Sequence, residues 1–179
     1  MRIISGIHKG RRIIAPNNLP VRPTTDRAKE ALFNILNNEY YFENISVLDL
    51  FAGTGNIGYE FVSRGVQQVV CVDRNTKCTR FIEQTSEILG ATIQVVQNDI
   101  SSFLSKHNGS YDIVFADPPY DMELEKFEQF IHQIITKETI RREGVLIVEH
   151  SKYTDLSVIQ GFSSSRTYGN CVFSFFRKD

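Results

Sequence analysis

The chain has 179 residues, 41% of them hydrophobic and 23% charged, with a formal net charge of −1, which suits one globular domain able to bury a core. No run approaches the length of a membrane span, and Met1 to Gly10 lacks the apolar stretch of a signal peptide, so a cytoplasmic protein is expected. Cys71, Cys78 and Cys171 form no CxxC pair and His8, His107, His132 and His150 are scattered, which argues against a disulfide framework and a metal site.

The charge is uneven along the chain. Residues 1–30 carry Arg2, Lys9, Arg11, Arg12, Arg22, Arg27 and Lys29 against Asp26 and Glu30, a local excess of +5. A basic arm on an acidic body suits contact with a polyanion such as phosphate; a solvated surface arm is the plainer alternative. Residues 2–14 read as two short strands punctuated by Gly6 and Gly10. Pro16 and Pro20 make an extended connector, and Pro23-Thr24-Thr25-Asp26 reads as a helix start with a Thr cap. Ala28, Ala31, Leu32, Ile35 and Leu36 follow at helical spacing and leave Arg27 and Lys29 off the apolar face.

From Ile45 strands and helices alternate. Strands are expected at 47–51, 68–72, 93–96, 112–116 and 145–149, and helices at 57–64, 76–89, 100–105 and 124–135. Such alternation means crossover units on a mainly parallel sheet. Segments 162–167 and 171–177 flank Tyr168-Gly169-Asn170, a hairpin turn. The expected fold is therefore α/β: a mainly parallel seven-stranded sheet flanked by helices and finished by a C-terminal antiparallel hairpin. A small N-terminal β-hairpin arm, 1–22, precedes the main domain, 23–179, which opens with a helix.

Val47-Leu48-Asp49-Leu50-Phe51-Ala52-Gly53-Thr54-Gly55-Asn56-Ile57-Gly58 sets a glycine-rich turn between a strand and a helix. Strand ends at a topological switch point are where open α/β sheets bind ligands. The glycine spacing, with Asp73 ending the next strand 18 residues past Gly55, fits a dinucleotide. Asp49 discriminates, because a carboxylate just before the loop repels a pyrophosphate and suits a cationic ligand without phosphate. Asp49 also reads, more plainly, as a loop-stapling acid. S-adenosylmethionine has an ammonium, a sulfonium and a ribose, which Asp73 can bond, while Asn98-Asp99-Ile100 at the end of the third strand can hold the adenine amine.

Asp117-Pro118-Pro119-Tyr120 ends the fourth strand abruptly, because neither proline has an N–H for a ladder. The tetrapeptide fits a plain turn, and it also fits a rigid ledge that grips a planar group bearing an NH2. Tyr120 is a stacking platform or a packing residue. His150 follows the fifth strand, where it can touch substrate or merely end the strand. No Cys lies near the tetrapeptide in sequence, which argues against methylation of a ring carbon through a Cys nucleophile.

These features together resemble a class I S-adenosylmethionine-dependent methyltransferase of Rossmann-like fold. Throughout its length the chain is similar to the RsmD family, the bacterial 16S rRNA guanine-N2 methyltransferases. Four blocks carry the likeness. They are Arg2-Ile3-Ile4-Ser5-Gly6 with Lys9-Gly10-Arg11-Arg12; Arg22-Pro23-Thr24-Thr25-Asp26-Arg27 with Ala31-Leu32-Phe33-Asn34-Ile35-Leu36; the glycine segment; and Ala116 to Tyr120. Asp73 stands where the family more often has Glu, and Asn56 where it usually has a small residue.

The resemblance implies methyl transfer from S-adenosylmethionine to N2 of a guanine in 16S rRNA, in a small ribosomal subunit or its assembly intermediate, by a metal-free monomer. Asp117, Pro118, Pro119 and Tyr120 are then the catalytic residues. Asp49, Phe51, Gly53, Gly55, Asp73, Arg74, Asn98, Asp99 and Ile100 hold the cofactor. Arg11, Arg12, Arg22 and Arg27 contact RNA. Two other readings stay open: methylation of another amine, such as adenine N6, and an assembly protein keeping a vestigial cofactor fold.

Overall fold

The computed structural model describes residues 1–16, 19 and 24–178. The expected boundary between residues 22 and 23 and the candidate Arg22 lie outside them. Seven strands form one sheet: β1 (Ser46–Leu50), β2 (Gln68–Asp73), β3 (Ile93–Gln97), β4 (Tyr111–Ala116), β5 (Ile140–Ser151), β6 (Phe162–Tyr168) and β7 (Cys171–Phe176). Their spatial order is β3-β2-β1-β4-β5-β7-β6. The first five run parallel, and β7 is antiparallel to β5 and β6. All five residues of β1 are buried, as expected of a strand covered on both faces.

Helices cover both faces. Apolar residues of α1 (Asp26–Asn37), α2 (Asn56–Ser63) and α3 (Thr76–Leu89) pack on one face around Leu32, Phe33, Phe61 and Ile82. Those of α4 (Ile100–Lys106) and α5 (Leu124–Thr136) pack on the other around Leu104, Phe127 and Ile131. Thr25 caps α1 as expected, accepting the Ala28 N–H on its side chain. Among the described residues no helix is long and apolar enough to cross a membrane.

The arm departs from the expected pair of strands. Its two segments do pair antiparallel, with an Arg2–Arg12 bridge flanked by the Ile3 N–H on the Arg11 carbonyl and the Ile13 N–H on the Met1 carbonyl, both at 3.0 Å, but the pairing is short because residues 4–8 bond α2 instead. The Ile4 and Ser5 N–H groups donate to the Glu60 carboxylate at 2.8 and 3.0 Å, and the His8 N–H donates to Ser63 Oγ at 3.0 Å. Ile3 and Ile13 are buried in the same core cluster as Phe33 and Phe61.

Lys29 also departs from expectation. It lies off the apolar stripe yet is 0% exposed. Its Nζ donates to the Arg2 carbonyl at 2.8 Å and to Asn56 Oδ1 at 2.7 Å, and lies 3.4 Å from Glu60. Glu60, equally buried, also pairs with Arg64 at 2.8 Å. Hydrophobic spacing cannot reveal such a residue, because polar partners from two other elements surround it. Breaking a buried pair by removing one partner typically costs about 3–5 kcal/mol. Glu60→Ala is expected to lower the unfolding free energy by about that much, read from urea denaturation, since it strands the Lys29 charge and two arm N–H groups.

Candidate active site

Sheet order reverses between β1 and β4, and the loops after these two strands line one cleft of about 1170 Å³. After β1, Phe51 takes φ 58° and Gly53 φ 54°. The turn is pinned at its middle, where the Gly53 N–H donates to Asp73 Oδ2 at 2.8 Å. Gly58 meets β2 closely: a Cβ there would sit 2.7 Å from Cys71 Sγ. That contact brings the Gly58 N–H to Asp49 Oδ2, at 3.2 Å.

After β4, the Asp117 N–H donates to the Leu50 carbonyl at 3.3 Å and so ties the tetrapeptide to the end of β1. Pro118 is buried, Pro119 is exposed, and the Met122 N–H closes a turn onto the Pro119 carbonyl at 3.0 Å. Tyr120 is 44% exposed, with its hydroxyl on Glu149 Oε1 at 3.2 Å.

The cleft gathers most of the expected residues. Asp49, Phe51, Gly53, Asp73 and Arg74 line one side, Asp99 and Ile100 the far end, and Asp117 to Tyr120 the other side. Gly55 and Asn98 do not line it. Gly55 stands behind the turn as the N-cap of α2, in the left-handed region, and the Asn98 N–H is tied to the Asp73 carbonyl. Asp73, expected to bind a ribose, already accepts from the Gly53 and Asn75 N–H groups. A carboxylate has about four acceptor sites, so capacity for a ligand hydroxyl remains. Asp99 caps α4 through the Ser102 N–H. Arg11, Arg12 and Arg27 are exposed outside the cleft.

Two expectations are corrected. His150 is internal to β5 and 3% exposed; its ring nitrogens bond Ser174 Oγ at 2.8 Å and the Ser151 carbonyl at 2.9 Å, and it does not line the cleft. Cys171, distant in sequence, folds beside Glu149 and Tyr120. Burial first, and then the Glu149 charge, push its thiol well up, which leaves a poor nucleophile.

Thr24 and Asn56, present in the sequence blocks but given no site role there, line the cleft, and Glu149, outside every block, braces it. Glu149, 2% exposed, accepts from Thr24 Oγ1 at 2.7 Å as well as from Tyr120. The readable signal was an acid ending a continuous apolar strand, as Asp49 and Asp73 do.

The electrostatics are those of acids without ion-pair partners. Among the described residues no ion pair reaches Asp49, Asp73, Asp117 or Glu149. Burial pushes the Asp49 carboxyl from its ordinary 3.8 up to about 8, against the pull of the Gly58 N–H. Burial, then the charges of Glu149 and Asp49, raise Asp117 well above the usual carboxylate range. Burial likewise raises Glu149, against hydrogen bonds from Thr24 and Tyr120. A ligand carrying positive charge and no phosphate is what such a cleft favours.

The doubly covered sheet, the acid-backed glycine turn and the proline-stiffened ledge define a Rossmann-like class I methyltransferase. The family described as Conserved hypothetical protein 95 matches residues 1–177. The Bacillus subtilis protein YlbH is 32% identical over 186 residues, covering 99% of each chain. The Escherichia coli ribosomal RNA small subunit methyltransferase D is 31% identical over 150 residues, 83% of this chain and 74% of that one. The solved structure of the Escherichia coli protein yhhF matches with a TM-score of 0.86 at 28% identity, covering 100% of this chain and 98% of that one. The chain belongs to the RsmD family of rRNA methyltransferases.

The acid-rich cleft also has a consequence for stability. Between its ordinary 3.8 and about 8, the Asp49 carboxyl keeps a proton in the folded state that the unfolded chain releases. The folded state then binds more protons, so stability falls as pH rises through that window. The urea midpoint of the ligand-free protein is expected to fall from pH 5 to pH 8, and Asp49→Asn to flatten that decline.

Proposed function

We propose that the protein transfers a methyl group from S-adenosylmethionine to the exocyclic N2 of a guanine in 16S rRNA, within a small ribosomal subunit or its assembly intermediate. The observation that carries the reading is Asp49, a carboxylate desolvated behind the glycine turn with no cationic partner among the described residues. It fits a cationic cofactor and opposes a dinucleotide pyrophosphate. S-adenosylmethionine supplies the reactive methyl group on a sulfonium, whose sulfur keeps the electron pair of the broken bond.

The chain's own residues bind, orient and move a proton. Asp49 and Asp73 answer the positive and hydroxyl groups of the cofactor, beside the Phe51 and Gly53 backbone; Arg74, Asp99 and Ile100 bound its far end. A guanine amine is a poor nucleophile, since its lone pair is delocalised into the ring. Asp117 and the Pro118 carbonyl accept its two N–H bonds, which lets the nitrogen pyramidalise and aim its lone pair. Positioning and electrostatic stabilisation of the charge developing on nitrogen then supply most of the catalysis.

The nitrogen gains a methyl group and loses one proton, which Asp117 accepts. A positive charge brought beside Asp117 favours its ionised form and readies it for that task. Pro119 stiffens the ledge. The exposed Tyr120 ring stacks on the base, a contact worth on the order of 1–3 kcal/mol. The target must lie outside any helical stack, in a loop or bulge. Arg11, Arg12 and Arg27, with Arg22, hold the RNA backbone.

Radiolabelled cofactor, the enzyme and small-subunit RNA or particles, followed by nucleoside digestion, test the reading. N2-methylguanosine is expected, and label in N6-methyladenosine would replace the substrate. Asp117→Ala is expected to lower kcat by about 10²-fold or more while calorimetric cofactor binding persists. An active Asp117→Ala enzyme removes the catalytic role.

The arm has its own readout. Arg11→Ala and Arg12→Ala are each expected to weaken RNA binding and to reduce the slope of log affinity against log salt by about one.

A further inference from the structure

Glu149 sits where β5 passes the ledge. The register of β4 on β5 aligns Ala116 with Val148, so Asp117 and Glu149 stand side by side one residue further on. Its two oxygens serve two hydroxyls. Oε2 accepts from Thr24 Oγ1 at 2.7 Å and Oε1 from Tyr120 at 3.2 Å.

The bonds continue away from the ledge. The Thr24 carbonyl accepts from Asn56 Nδ2 at 3.1 Å, and Asn56 Oδ1 accepts from Lys29 Nζ, which also holds the Arg2 carbonyl. Thr24, Asn56, Lys29 and Glu149 are 7, 6, 0 and 2% exposed. A break in this chain therefore leaves a buried polar group without a partner. At its outer end the Tyr120 hydroxyl is tethered while the residue stays 44% exposed.

We propose that Glu149 is a positioning residue for methyl transfer: gripping the Tyr120 and Thr24 hydroxyls, it fixes the Tyr120 ring as a stacking face and locks the ledge to the start of α1. The proposal rests on the reading of Tyr120 as the platform for the base. A carboxylate suits the task because it accepts from two hydroxyls on opposite oxygens without a donor of its own. Glutamine offers one oxygen and two N–H donors, so one hydroxyl would lose its acceptor. Asp117 and Cys171 also face Glu149, and neither supplies a competing cation.

Four variants test it: Glu149→Gln, Thr24→Val, Tyr120→Phe and the double Glu149→Gln/Tyr120→Phe. Each is assayed for kcat and KM on small-subunit particles, cofactor affinity by calorimetry, and melting temperature. Expected are losses in kcat on the order of tenfold for Glu149→Gln and Tyr120→Phe, with cofactor affinity held. The double variant should be no slower than the slower single, because both changes remove one interaction.

Multiplying losses in the double variant, or wild-type kcat in Glu149→Gln, overturn the proposal. If Glu149→Gln does not fold, Tyr120→Phe and Thr24→Val decide: wild-type kcat in both overturns it, and a loss in both with cofactor affinity held supports it. Tyr120→Ala separates the two levels. Unchanged kcat and KM there sink the stacking reading itself, whereas a defect there beside a wild-type Glu149→Gln sinks only the role of Glu149.

Discussion

The pairing of β1 with β4 is the constraint on which the rest of the site depends. The two strands hand the chain off in opposite directions, β1 towards β2 and β4 towards β5, so their ends open on a gap that no crossover covers. The ladder aligns Leu50 with Ala116, and the Asp117 N–H on the Leu50 carbonyl extends it one bond further. Pro118 and Pro119 stop it there, since neither has an N–H to give. The glycine turn and the ledge cannot separate without breaking buried backbone bonds. Their relative position is therefore a property of the sheet and not of two loops.

The same sheet explains why so many acids meet. Side chains alternate between faces with period two. Asp49, Phe115 and Ile147 share the face that α1 to α3 cover, so Asp117 and Glu149, two residues further along β4 and β5, emerge on that face as well. Backbone N–H groups and hydroxyls hold these acids in place, as Gly58 does for Asp49 and Thr24 for Glu149. Such donors fix geometry but bring no full positive charge. The remaining electrostatic demand lowers the stability of the ligand-free protein and raises the preference for a cation, so one arrangement does both.

Much of this was legible in the sequence, for identifiable reasons. The strands announce themselves as apolar runs, and the parallel pairing with a final antiparallel hairpin follows from the alternation of elements; the spatial order of the strands does not. The tetrapeptide and glycine turn are readable because their chemistry is local: prolines stop a strand and glycines admit a turn wherever they occur. Glu149 is not local. One partner lies 125 residues away and the other 29, so its place at the end of an apolar run marks an acid but not the hydroxyls it serves. Asp73 shows the opposite limit, since its position was readable but its hold on Gly53 depends on a turn that only folding brings near. The arm pairs over a shorter stretch than its spacing suggests because the N–H groups of Ile4, Ser5 and His8 find the side chains of α2, and period-two spacing carries no information about such partners.

Asn56 becomes intelligible beside Lys29. An apolar contact could hold the arm on the body equally firmly, and a buried lysine adds little net stability over an apolar residue of its size. What polar contacts add is direction. Lys29 bonds the Arg2 carbonyl and Asn56, while Glu60 bonds the Ile4 and Ser5 N–H groups, each within a narrow range of distance and angle. An arm held only by apolar packing can slide by an ångström at little cost. One held by three such bonds, with Asn56 fixing Lys29 behind them, presents Arg11 and Arg12 at a set distance from the ledge. Under the proposed function, with a base in the cleft and the RNA backbone on Arg11 and Arg12, that fixed distance would select which nucleotide arrives.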